Sequence, residues 1–229
     1  MNKNIYCVIP ARGGSKRIKN KNVIFFNKKP IIYYPITVAK KTNLFKKIIV
    51  STDSKKIKLI AEKFGAYVPY LRDKKISDDK TTTKEVLIDS IKKNKLSGDY
   101  IFLLYPSTPL LKKEYLINGL KKIKKEKADC LISVKEFESN PYRSLKQNKQ
   151  KYLEFNNPKF EKKNSQDLPK LFFDAGMFYI FRINKLLHNK NLLPKKTIGF
   201  ILKKYSSIDI NEKIDLKYTR LLFKSNKSI

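Results

Sequence analysis

The chain has 229 residues and carries 52 Lys and Arg against 20 Asp and Glu, a formal net charge of +32. That length fits one large domain, and a composition 41% hydrophobic and 12% aromatic excludes a disordered chain despite 31% charged residues. No uncharged apolar run approaches the roughly 18 residues of a membrane helix, and the start lacks the apolar stretch and small-residue cleavage site of a signal peptide, so the expectation is a soluble cytoplasmic protein.

Residues 5–10 form a short apolar run ended by Pro10 and a glycine-containing loop, the pattern of a buried strand. Residues 30–41 read as a helix with Ile31, Tyr34 and Val38 on one stripe, and residues 47–52 as the next strand. Ser54 is placed to cap a helix ending at Phe64 and stopped by Gly65, and residues 67–71 are a third strand candidate. Thr82 and Glu85 have capping-box spacing ahead of a helix bearing Val86, Leu87 and Ile91. Residues 100–105 are continuously apolar, as in a strand buried on both faces. Residues 112–125 then read as a helix and 130–134 as a strand. Alternation of strand and helix over residues 1–134 predicts an α/β domain with a mostly parallel sheet. Residues from about 135 to 175 break the pattern. They are polar, rich in Asn, Lys and Gln, and too long for an ordinary loop, so we read them as an inserted arm of a single 1–229 domain. Strands resume at 177–181 and 198–202, and a last helix spans about 212–223.

The charge has a particular character. The 52 basic residues include six arginines, which leaves 46 lysines spread over the whole chain. Lys, Ile and Asn share AT-rich codons, so a solvated lysine surface is the simpler reading, and no nucleic-acid partner is expected from it. Cys7 and Cys130 fall inside buried strands, and two cysteines with one histidine make no zinc site. His188 lies in a Lys- and Asn-rich stretch and is assigned no chemistry.

The loop after the first strand, residues 10–22, holds two of the chain's 7 glycines, side by side at Gly13 and Gly14, among Arg12, Lys16, Arg17, Lys19 and Lys21. Glycines let backbone N–H groups approach an anion, and an open α/β sheet places its ligand after its first strand. The loop is neither a Walker A sequence nor Gly-x-Gly-x-x-Gly. Composition alone leaves a triphosphate cradle and an ordinary lysine-rich surface loop equally open.

The whole string from Ile9 to Asn22, Ile-Pro-Ala-Arg-Gly-Gly-Ser-Lys-Arg-Ile-Lys-Asn-Lys-Asn, resembles the signature of the cytidylyltransferases that activate sialic acids and related nonulosonic acids. Weaker motifs follow in the family's order: Val50-Ser51-Thr52-Asp53-Ser54, then Leu71-Arg72 with Ser77-Asp78-Asp79 and Thr81-Thr82-Thr83, then Asp209-Ile210-Asn211 with Asp215-Leu216. The resemblance spans almost the full chain. Where the sialic acid enzymes read Gln-Pro-Thr-Ser-Pro-Leu-Arg, this chain has Tyr105-Pro106-Ser107-Thr108-Pro109-Leu110-Leu111. Gln166-Asp167-Leu168-Pro169, followed by Asp174-Ala175-Gly176-Met177-Phe178-Tyr179, is similar to the branch that activates pseudaminic acid, as is the segment from Pro141 to Leu145.

The resemblance implies a Rossmann-like nucleotide-diphospho-sugar transferase fold. It also implies transfer of CMP from CTP to the anomeric hydroxyl of a nonulosonic acid, with Mg²⁺ as cofactor. Its implied nucleotide residues are Ala11, Arg12, Gly13, Gly14, Ser15, Lys21, Asn22, Arg72, Ser77 and Thr82. Arg12 and Lys21 would contact the triphosphate, Gly13, Gly14 and Ser15 would lend it backbone N–H groups, and Asn22 would hydrogen-bond cytosine. Asp209 would hold the metal, with Asn211 at a position that is Asp in many relatives; Arg12, Lys21 and Asp209 form the implied catalytic set. Tyr105, Arg143, Gln166, Asp167 and Asp174 would meet the sugar, and the arm would pack on a second copy in a homodimer. Each assignment has a plainer competitor: a helix cap for Asp209, a strand-entry turn for Asp174, a solvated arm for Arg143 and Gln166. Legionaminic and N-acetylneuraminic acids remain open as alternative sugars, and a non-catalytic nucleic-acid-binding protein and an inactive homologue as alternative classes.

Overall fold

The computed structural model describes residues 4–225. Six strands form one sheet in the order β10-β6-β9-β5-β1-β4. They are β1 (Ile5–Pro10), β4 (Lys47–Ser51), β5 (Tyr100–Leu104), β6 (Cys130–Glu136), β9 (Phe172–Arg182) and β10 (Thr197–Ile201). Two small hairpins supply β2 (Phe25–Phe26) with β3 (Lys29–Pro30), and β7 (Leu145–Gln147) with β8 (Leu153–Phe155). β1 runs parallel to both β4 and β5, and β10 parallel to β6; β9 alone runs antiparallel, between β5 and β6. The helices are α1 (Tyr33–Lys41), α2 (Lys55–Lys63), α3 (Thr83–Lys93), α4 (Lys113–Lys125), α5 (Ile183–His188) and α6 (Lys213–Ser225).

Burial explains the strand choice. Every residue of β5 is buried, and alternate side chains feed two apolar layers: Phe102 and Leu104 on one face, Ile101 and Leu103 on the other. A strand sandwiched in this way has no polar face, which is why its sequence reads as an unbroken apolar run. Cys7 and Cys130 are both buried free thiols, and burial raises both above the usual thiol range, so they act as small apolar side chains.

The helix starts follow their caps. Ser54 Oγ accepts from Ile57 N at 3.4 Å, and Gly65 ends α2 at φ 87°, where a side chain is disfavoured. Thr82 and Glu85 complete the capping box of α3.

Three expectations change. Residues 67–71 make only an isolated bridge, Tyr67 to Ile49, because β4 is the sheet edge and the chain leaves it at once. The helix expected from residue 30 begins at Tyr33 and buries Pro35, Ile36 and Ala39, since Lys29–Pro30 is taken by the β2–β3 hairpin. The arm is not a structureless excursion: it carries the β7–β8 hairpin and a small apolar centre of its own, with Tyr142 stacked on Phe160 at 4.3 Å and Phe160 and Leu168 buried. Its last residues belong to β9.

Candidate active site

The C-terminal ends of β1 and β5 open onto a cleft of about 390 Å³ that holds Pro10, Arg12, Lys21, Asn22, Arg72, Tyr105, Ser107, Asp209 and Asn211 in its wall. That is where an open α/β sheet binds its ligand. Arg12, Lys16, Arg17, Lys21 and Arg72 face it with positive charge, against Asp78, Asp79 and Asp209. The excess of cations suits a polyanion.

The loop after β1 is a worked surface, and it differs from the sequence expectation in detail. Ala11 is fully buried and donates its N–H to Ser51 O at 2.9 Å, so it anchors the loop to β4 and does not line the cleft. Gly13 N–H is spent on Asp53 Oδ1 at 2.7 Å, and Ser15 N–H on Gly13 O at 3.0 Å. Gly14 N–H is the one of the three with no protein acceptor among the described residues. The expectation that all three amides are offered to phosphate is therefore corrected: only the Gly14 amide is left unspent among the described residues, and of the three residues only Ser15 stands in the cleft wall.

Asn22 is buried; its Nδ2 donates to Arg12 O at 2.9 Å and its Oδ1 has no partner. Arg72, also buried, donates Nε to Ser77 Oγ at 3.0 Å, and burial pulls its guanidinium below the ordinary range. Ser77 thus supports Arg72 instead of lining the cleft, and Thr82 is consumed by its capping box while Thr81 and Thr83 reach the wall.

Arg12 donates Nη1 to Asp78 O at 2.8 Å and pairs Nη2 with Asp79 Oδ1 at 2.5 Å; Lys16 pairs with the other oxygen of Asp79. Lys21 donates Nζ to Ile210 O at 2.8 Å. Burial lowers the Lys21 ammonium below its usual range, with Asp209 pulling the other way.

Asp209 sits in the wall and its Oδ2 accepts from Asn211 Nδ2 at 2.8 Å. It does not cap α6: Asp215 does, taking the N–H groups of Asn211 at 2.9 Å and Glu212 at 2.7 Å on one oxygen. Among the described residues no group of three or more His, Cys, Asp or Glu could cage a metal. Two oxygen donors at one edge are nevertheless what Mg²⁺ asks of a protein when phosphates and water complete the shell. The donor set fits.

A model of the cytidylyltransferase family matches residues 6–222. The chain is 34% identical over 223 residues to a pseudaminic acid cytidylyltransferase of Campylobacter jejuni, covering 96% of both proteins. The chain belongs to the cytidylyltransferase family. It is an enzyme, a nucleotidyltransferase. This cytidylyltransferase is also 30% identical, over 95% of its length and 94% of the relative's, to the CMP-N,N'-diacetyllegionaminic acid synthase of C. jejuni. Among solved structures it resembles a CMP:2-keto-3-deoxy-manno-octonic acid synthetase complexed with CTP, with a TM-score of 0.71 at 16% identity, covering 97% of this chain and 99% of that one. A 4-diphosphocytidyl-2C-methyl-D-erythritol synthase of Anaerococcus prevotii follows at 0.66 and 14%, covering 96% and 98%. At those identities the likeness is one of fold, and it agrees with the Rossmann-like sheet described above.

The remaining expected sugar residues of the cytidylyltransferase separate. Tyr105 lines the cleft, half-buried, and burial raises its phenol above the usual range. Arg143, Gln166 and Asp167 lie exposed on the arm, outside the cleft of their own chain; Arg143 donates Nη1 to Lys163 O at 2.9 Å, and Asp167 accepts from Asn164 Nδ2 at 3.3 Å. Asp174 is also outside the cleft wall, its oxygens taken by Gly176 N–H at 2.9 Å and by Tyr179 O–H. Asp53, Asp79, Thr81, Thr83 and Ser107 were assigned no role from sequence, although Asp53, Asp79, Thr81 and Thr83 stand inside motifs that matched in order and Ser107 inside the segment that departs from the sialic acid pattern.

Proposed function

We propose that this nucleotidyltransferase moves CMP from CTP to the anomeric hydroxyl of a nonulosonic acid, pseudaminic acid before legionaminic or N-acetylneuraminic acid. The observation that carries the cytosine reading is the unpartnered buried acceptor Asn22 Oδ1 in the cleft wall, which also holds the buried donor Arg72. Cytosine offers a 4-amino donor with neighbouring acceptors; uracil reverses the 4-position. A buried acceptor left unpaired is costly, so the site favours the base that satisfies it.

In the reaction the anomeric oxygen gives up its proton to solvent and forms a bond to the α-phosphorus of CTP, the bond from that phosphorus to the β-phosphate oxygen breaks, and pyrophosphate leaves with the electron pair. Arg12, Lys16 and Lys21 hold the triphosphate, and Lys21 balances charge that grows as pyrophosphate departs. Mg²⁺ held by Asp209, with Asn211 as a neutral second ligand, would neutralise phosphate oxygens and acidify the attacking hydroxyl. Gly14 N–H and Ser15 shape the phosphate end. Tyr105, standing where relatives have Gln, faces the sugar as a neutral phenol, since burial raises it.

The arm supports a homodimer. Leu145, Tyr152 and Leu153 of the β7–β8 hairpin are exposed apolar residues, which a second copy would cover. Such an arrangement would also give Arg143, Gln166 and Asp167 a sugar to meet, in the neighbouring subunit. CTP and the nonulosonic acid are the proposed partners; no nucleic acid or membrane is part of the reading. Among the described residues no helix is long and apolar enough to cross a membrane; a reaction that draws on CTP is in keeping with a cytoplasmic enzyme.

Pyrophosphate release with CTP, Mg²⁺ and a panel of nonulosonic acids tests the reading. Fastest turnover with pseudaminic acid is expected; a clear preference for another acid moves the enzyme to that branch, and no release with any of them overturns the proposal.

A further inference from the structure

Strands β6 and β9 pair in register on either side of an interruption. Ile132 faces Tyr179 and Val134 faces Asp174, so a step of two residues on β6 is matched by five on β9. The surplus residues of β9 bulge out of the ladder. Ser133 Oγ accepts Phe178 N–H at 3.0 Å inside the bulge, and Met177 O accepts Tyr105 N–H at 3.0 Å, which ties the bulge to the end of β5 at the cleft. At its crest Gly176 has φ 61°, a conformation that L side chains rarely adopt.

One side chain closes this bulge. Asp174 accepts Gly176 N–H at 2.9 Å on Oδ1 and the Tyr179 hydroxyl on Oδ2, so it grips both the crest and the far end. Burial and the neighbouring Asp174 hold the Tyr179 phenol far above its usual range, in the protonated form that donates. The crest lies against Asp209: a Cβ at Gly176 would stand 3.3 Å from Asp209 Cγ.

We propose that Asp174 and Tyr179 are positioning residues for the reaction: by closing the β9 bulge they press Gly176 against Asp209 and fix the carboxylate that faces the triphosphate. This rests on the reading of Asp209 as the metal-holding carboxylate. It replaces the expectation that Asp174 touches the sugar. Outer partners that orient a metal-binding carboxylate govern affinity for the ion.

The test measures the Mn²⁺ dissociation constant of the protein–CTP complex by electron paramagnetic resonance, without sugar and with protein in excess so that all CTP is bound. Wild type, Tyr179→Phe, Asp174→Ala and Asp174→Asn are compared, with melting temperatures and the KM for sugar beside them. Tyr179→Phe and Asp174→Ala are expected to weaken Mn²⁺ about tenfold. Asp174→Asn should recover most of the loss, because its amide oxygen still accepts from Gly176 and its nitrogen can donate to the Tyr179 oxygen. Unchanged Mn²⁺ affinity in all three variants overturns the inference, and a rise in sugar KM alone returns Asp174 to the sugar pocket. A wild-type complex that holds Mn²⁺ no better than free CTP does overturns the metal reading itself, and the inference with it. Equal weakening by Asp174→Asn and Asp174→Ala, in step with falling melting temperature, marks a merely structural role and also overturns it.

Discussion

Asn22 donates its side-chain N–H to the main-chain carbonyl of Arg12, 2.9 Å away, while its own Oδ1 stays buried and unpartnered. One amide thus braces the loop after β1 and leaves its own oxygen unpartnered in the cleft wall. One N–H of its Nδ2 is committed to that brace, which points the unpartnered oxygen, rather than the nitrogen, at an incoming donor.

CTP is therefore expected to be used at least about a hundredfold better than UTP, because a carbonyl at the 4-position meets Asn22 Oδ1 acceptor to acceptor. Asn22→Ala should lose most of that discrimination and also lower turnover with CTP, since the Arg12 carbonyl loses its brace. Competing CTP and UTP kinetics check this. Comparable kcat/KM for both nucleotides in the wild type would remove the base-reading role.

Lys21→Ala should cost at least about two powers of ten in rate, by loss of a cation that meets the growing charge of the leaving group. The fold should survive, because the hydrogen bond lost is one at the surface of the cleft, to Ile210 O. Near-normal turnover in a folded variant would move phosphate binding elsewhere.

The same residue sets a pH dependence. Burial lowers Lys21 below 10.5 in the folded protein, so in the window between its lowered value and 10.5 the unfolded chain holds more protons than the folded one. The desolvation penalty of the buried ammonium is thus present at neutral pH and is relieved as pH rises through the folded value, a gain in stability. CTP binding has the opposite sign: affinity falls through the same window as the charge is lost. Calorimetric titration of CTP against pH should show the decline beginning below the pH of a free lysine in the wild type and at higher pH in Lys21→Arg.

Asp209→Ala should nearly abolish turnover with little change in melting temperature, whereas Asp215→Ala should cost about 1 kcal/mol of stability by uncapping α6. Asn211→Asp should preserve activity at a lower Mg²⁺ requirement, because a carboxylate is the stronger ligand for a hard cation. Activity against Mg²⁺ concentration, read beside thermal stability, separates these effects. An Asp209→Ala protein that is less stable but keeps the wild-type Mg²⁺ requirement would end the metal-site assignment.

Asp79 spans Arg12 and Lys16, occupying two cations assigned to the triphosphate in the proposed reaction. Asp79→Asn should tighten CTP binding by a few-fold, the modest gain reflecting the solvent exposure of the pairs. Weaker binding in Asp79→Asn would show instead that the ion pairs pre-order Arg12.

Much of this protein is written locally in its chain. The Thr82 and Glu85 cap, the Ser54 cap and the unbroken apolar run of β5 each depend on residues within a few positions, and each formed as read. The cationic loop after β1 was legible too as a segment of the cleft wall, because its residues are contiguous. What the loop does with its hydrogen bonds was not: Asp53 lies 40 residues from the Gly13 amide it takes, and Asp79 comes from another loop to meet Arg12. The strand expected at 67–71 shrank to a single bridge because the chain leaves the open edge of β4 after Tyr67 and bonds to this part of the chain again only through Arg72 N–H to Thr52 O.

By itself, then, the sequence determined element type, the capped helix starts and the cationic loop, since propensity, capping and periodicity act over a few residues. Only the tertiary structure decided that β9 runs antiparallel with a bulge at Gly176, that Asp53 takes the Gly13 amide, and that Asn22 keeps its oxygen free. Those outcomes depend on which distant groups compete for each buried donor and acceptor, and that competition is resolved only when the sheet closes and water is gone.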